Sequence, residues 1–161
     1  MSTSSLTTLN TLKAQPLDQA AQDFIQEHLR KANAEATYKQ ALILLYQAYE
    51  DALQLATIAA FGLNAAQAKK ILYKKDRIRL FRKHGIDFDA LSATEAISTL
   101  GLIVNALHYE GIVTEALVDK FPYWKEGFNL VQLDHAYKKL APQCIAHYEA
   151  LLDALIAHVS A

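Results

Sequence analysis

The sequence predicts an all-α protein, an antiparallel bundle of five or six helices. Apolar residues recur at spacings of three and four over most of the chain, as in Leu42, Tyr46, Tyr49, Leu53, Ala56 and Ala60. No stretch alternates apolar and polar residues in the two-residue period of a half-buried strand. A capping residue is followed three positions on by Glu or Gln at Asn64 and Gln67, at Ser92 and Glu95, and at Asn129 and Gln132. Each such pair marks a helix start.

Taken in order, residues 1–15 read as a flexible tail, because their small polar residues cannot offset the entropy of ordering. Residues 16–161 then form a single domain, a length sufficient for one core. Pro16 opens a helix over 17–31. The next helix spans 35–61, with a second apolar row of Leu45, Ala52, Leu55 and Ala59 that marks it as central, and Gly62 as its stop. The Asn64 cap starts a third helix that runs to Gly85. Beyond it lies a loop in which Phe88 tucks inward. Ser92 opens a helix to Glu110, and a shorter one covers 114–123. Trp124 and Phe128 are expected to pack the following turn. The closing helix starts at Asn129 and carries the cleanest seam: Leu133, Tyr137, Leu140, Cys144, Tyr148, Leu151 and Leu155. Pro142 interrupts its backbone bonding.

An apolar share of 52% with 20% charged residues fits a globular protein, and no apolar run reaches the roughly twenty residues of a bilayer span. The single cysteine, Cys144, excludes an internal disulfide framework and points to a reducing, cytoplasmic setting. It sits on an apolar seam, where a thiol acts as a small hydrophobe. The six histidines show no Glu-x-x-His spacing, so no metal site is assigned. His135, His147 and His158 are placed at the edge of the closing helix. Gly-rich phosphate loops and nucleophile elbows are missing, and no cofactor is expected.

Charge is the informative feature. Residues 69–84, KKILYKKDRIRLFRKH, hold eight of the sixteen Lys and Arg residues and one acid, Asp76. The rest of the chain carries eight basic residues against sixteen acids, so the formal net charge of -1 hides a dipolar molecule. A dense positive segment attracts phosphates or an acidic partner, or forms a solvated helix face. Lys70, Lys74, Lys75, Arg77 and Arg82 are the candidate phosphate-binding residues. Arg79 and His84 add a chemical possibility: a guanidinium to hold phosphate and an imidazole to move a proton.

The Arg-x4-His spacing of Arg79-Leu80-Phe81-Arg82-Lys83-His84, on a helix of a small all-α bundle, resembles the HEPN (higher eukaryotes and prokaryotes nucleotide-binding) superfamily. Arg77 and His84 meet the looser spacing of the same motif. The order of helices over about residues 36–160 is similar too. The resemblance implies metal-independent RNA cleavage, a homodimer, and a defence or toxin–antitoxin role. In that family the motif usually falls later in the chain. Val104-Asn105-Ala106-Leu107-His108 occupies that place, with Asn105 and His108 kept, Val104 where Arg would be, and a spacing short by one. Arg79 with His84 and Asn105 with His108 are therefore both candidate catalytic sets.

Three functions compete at this stage. One is an RNA-directed HEPN-like protein, with RNA as its partner. Another is a non-catalytic interaction module, an immunity, antitoxin or adaptor protein whose basic helix binds an acidic protein. The last is a ligand pocket lined by Tyr46, Tyr49, Trp124 and Tyr148.

Overall fold

A computed structural model describes residues 3–161. Among these, seven α-helices are formed and no strand: α1 (Thr3–Ala14), α2 (Gln19–His28), α3 (Ala34–Phe61), α4 (Ala65–Lys70), α5 (Lys74–Lys83), α6 (Thr94–His108) and α7 (Leu133–Ser160). The fold is an all-α helical bundle, as the periodicity predicts. Its packing divides into two compact units, one of residues 3–16, 49–94 and 146–161, the other of residues 17–48 and 95–145. The long helices α3 and α7 belong to both in sequence.

In the first unit, residues expected as a tail form α1. The correction has a simple cause: Leu9 and Leu12 are three apart, fall on one face and are buried, Leu9 completely. Burying a Leu stabilises by about 1.5–3 kcal/mol, which offsets the ordering entropy of a Ser/Thr-rich segment. A Lys13–Asp153 ion pair ties the end of α1 to α7. Met1 and Ser2 lie outside the described residues. Phe81, Leu53, Leu151, Leu152 and Leu155 complete this core, and Phe88 is buried as expected. On α3, Leu55 from the second apolar row is instead 55% exposed.

The expected third helix is two helices. The Asn64–Gln67 box forms reciprocally, each bond 2.9 Å, and starts α4. That helix ends after one and a half turns, and Ile71–Tyr73 turn the chain before α5 begins. Arg77 explains why the break is stable. Its buried guanidinium donates to the Ile71 carbonyl at the end of α4, 3.4 Å away, and pairs with Glu50 on α3 at 2.9 Å. A cation is favourable at a helix C-terminus, where carbonyls lack partners.

In the second unit, Leu42, Leu45, Leu100, Ile103, Leu133, Tyr137, Leu140 and Cys144 pack from α3, α6 and α7. Two expected caps fail for one backbone reason. Ala93 and Gln132 take left-handed φ values of 55° and 54°. A helix including either would need φ near −63°, so α6 starts at Thr94 and α7 at Leu133. Glu95 pairs with Lys120 at 3.2 Å, and Asn129 forms an isolated bridge to Ile112. The N-terminus of α7 is served from a distance instead: the Leu133 N–H donates to the Glu35 carboxylate at 3.1 Å.

Residues 114–123 do not form the expected helix. A single turn closes where the Val118 N–H donates to the Thr114 carbonyl, 3.1 Å away. Pro122 lacks an N–H and disfavours helical backbone at Phe121, which stops propagation. Trp124 is buried and donates its indole N–H to the Val131 carbonyl, whereas Phe128 is 67% exposed and packs nothing inward. The closing seam is buried at every predicted position. No helix among the described residues is long and apolar enough to cross a membrane.

Candidate functional site

The break between α4 and α5 creates the site. Had the segment continued as one rod, its cations would have been spread around the helix. The turn at Ile71–Tyr73 folds α5 back so that Leu63, Gln67, Lys70, Ile71, Asp76, Arg79, Leu80 and Lys83 line one open cleft of about 280 Å³. Ile71 is buried, Leu63 and Leu80 are half-buried, and Lys70, Arg79 and Lys83 are exposed. The cleft has apolar walls and a cationic rim. Asp76 is its acid, 3.5 Å from the Arg79 guanidinium, whose side chain remains 74% exposed.

Most of the predicted phosphate-binding residues are available. Lys70, Lys74, Lys75 and Arg82 are exposed, as are Lys69 and Lys83. Arg77 is not. Its pair with Glu50 and its bond to Ile71 place it inside the unit, and its charge is spent on structure. The sequence could not separate it from its neighbours, because the fate of each cation depends on which side of α5 meets α3. Leu72 and Tyr73, 61% and 70% exposed, stand in the turn among the lysines.

Arg79 and His84 have different contacts. Arg79 belongs to the cleft and to Asp76. His84 caps the end of α5, where its ring stacks on Phe61 with centroids 4.6 Å apart and meets the His158 ring edge-on at 5.1 Å. Loss of solvent, followed by repulsion from His158 and Lys83, holds the His84 pKa below its ordinary value. The imidazole is thus neutral near pH 7. In the second unit, Asn105 and His108 are exposed on α6, while Val104 is buried.

No protein-family model, curated protein or solved structure matches this chain.

The histidine with the most specific environment is His147, expected at an edge but completely buried. The Ser92 carbonyl lies 3.1 Å from Nδ1 and can only accept, so Nδ1 carries the proton. Nε2 then accepts from the Tyr49 hydroxyl at 2.9 Å. Thr94 Oγ1, 3.2 Å from Nδ1, directs its own proton to the Leu91 or Phe88 carbonyl. Burial, partly countered by the Ser92 bond and reinforced by the Lys74 charge, lowers the His147 pKa. The ring is a neutral structural link. Its seam position was legible: His147 lies three after Cys144 and four before Leu151, the spacing of a buried stripe.

The remaining candidates resolve into packing. Tyr49 and Tyr148 meet edge-to-face at 6.4 Å in the first unit's core. In the second unit, Tyr46 packs so closely on Gly101 that an added Cβ would lie 3.2 Å from its ring. Burial pushes the Cys144 thiol pKa up to about 12, which leaves it without thiolate at neutral pH. Among the described residues, no three His, Cys, Asp or Glu side chains gather to hold a metal ion.

Proposed function

We propose that this protein binds RNA through the cationic surface of α4 and α5. The observation that carries the reading is the exposure of Lys69, Lys70, Lys74, Lys75, Arg79, Arg82 and Lys83 on one short segment, with Asp76 the acid among them. Such a surface binds a phosphate backbone mainly by releasing its condensed counterions. The HEPN resemblance supports RNA as the polyanion. Tyr73 supports it as well, since an exposed ring beside cations offers a stacking platform to an unpaired base.

Cleavage is the finer part of that resemblance. It would need His84 as the proton-transfer group and Arg79 on the developing phosphate charge. Each of the two side chains has its own contacts, Arg79 to Asp76 and His84 to Phe61 and His158, and the reading proposed here is confined to binding.

The competing reading is an adaptor that grips an acidic protein, and exposed Leu72 and Tyr73 would give such a partner apolar contact. Salt titration of RNA binding tests the choice. Affinity for a mixed-sequence single strand should fall steeply with salt. Replacing Lys70, Lys74, Lys75 and Arg82 by Ala should flatten the slope by up to about 3. A slope near zero in the unmodified protein rejects RNA and favours the acidic partner. Incubation of the same RNA in excess chelator, with His84→Ala and His108→Ala as controls, tests cleavage. Strand scission lost only in His84→Ala would restore the catalytic role.

A further inference from the structure

We infer that the cleft between α4 and α5 is a subsite for one unpaired nucleotide, with its base on the apolar walls and its phosphate on the cationic rim; the inference rests on the RNA reading above. Charge alone would be served by a flat surface. This surface instead contains a recess of about 280 Å³ whose walls are Leu63, Ile71 and Leu80. That volume lies near the lower end of pockets that hold small organic molecules. Apolar walls contribute nothing to a phosphate but shelter the face of a base from water.

The rim supplies the other half. Lys70 and Lys83 are point charges, whereas Arg79 presents a planar fork suited to two phosphate oxygens. Its contact with Asp76 is 3.5 Å, longer than the 2.7–2.9 Å typical of a tight charge-assisted bond, so the guanidinium can exchange partners. The Asp76 carboxylate works against any anion placed here. An isolated phosphate is therefore a poor ligand, and a nucleotide succeeds because its base adds apolar contact.

Selectivity follows from geometry. A base within a duplex is stacked and paired, and cannot enter a recess without being extruded. The cleft accordingly selects single strands, while the lysines outside it hold any phosphate backbone.

The test is fluorescence anisotropy with three ligands: a single-stranded RNA hexamer, the same strand lacking its bases and so of matched charge, and the hexamer duplex, with its affinity expressed per strand. The intact strand should bind about fivefold or more tightly than the abasic strand, the value of roughly 1 kcal/mol of base contact. Leu80→Gln and, independently, Leu63→Gln should bring the intact strand to the abasic level and leave the abasic strand unchanged. Asp76→Asn should tighten both strands alike, and inorganic phosphate should compete only weakly. Equal binding of intact and abasic strands, or of duplex and single strand, with a steep salt slope overturns the subsite and leaves backbone binding standing. Failure of all three ligands overturns both. The wild-type comparison decides even if a variant does not fold.

Discussion

Replacing His147 by Leu gives the sharpest test of the packing described above. Leu is similar in bulk but apolar, so the ring's two bonds vanish without a large cavity. The Ser92 carbonyl and the Tyr49 hydroxyl each lose their bond to the ring, 3.1 and 2.9 Å long. An intramolecular hydrogen bond contributes about 0.5–1.5 kcal/mol net, so losing two costs about 1–3 kcal/mol at pH 8. Loss of the edge-on Phe88 contact to the imidazole, centroids 5.1 Å apart, adds to this. The pH dependence supplies an internal control. The pKa of His147 is lowered in the folded protein, so on acidification the unfolded chain takes up the proton first. Stability conferred by the neutral ring is full above the unfolded value near 6.5 and declines as pH falls from there to the folded value. The cost of His147→Leu should therefore shrink between pH 8 and pH 5. His84 also has a lowered pKa, but it is present in both proteins and cancels in the difference. Urea unfolding followed by far-ultraviolet circular dichroism at both pH values measures the quantity. A cost below about 1 kcal/mol, or one that does not change with pH, would refute the buried network.

Two further substitutions separate structural from ligand-facing charge. Arg77→Ala should destabilise by about 2–3 kcal/mol, less than the loss of a fully buried pair because Glu50 is 28% exposed, and should leave the salt slope of RNA binding unchanged. A flattened slope in a folded Arg77→Ala protein would show that its charge reaches the ligand after all. Glu35→Ala removes the carboxylate from the first N–H of α7 and should cost about 1 kcal/mol in thermal or urea unfolding. Equal stability of the two proteins would mean that water serves that N–H as well.

What the sequence determined by itself was whatever depends on local spacing. The seam from Leu133 to Leu155, the length of α3 and the Asn64–Gln67 box are all set by residues three or four apart, and each stands as predicted. The density of cations between Lys69 and His84 was equally plain. Tertiary structure decided the rest, because the deciding partner lay far along the chain. Arg77 could be distinguished from Arg79 only by Glu50, twenty-seven residues earlier. His147 was buried by partners as distant as Tyr49, ninety-eight positions away, and the cap of α7 came from Glu35 at the same separation. The Ser/Thr-rich start became a helix because a hydrophobic face was available to its two leucines. The cleft itself exists because α4 stops at Ile71, and that stop is held by a guanidinium whose own position is fixed by α3. Local propensity sets which helices can form. Long-range burial and pairing settle where they end, and here the end of one helix makes the site.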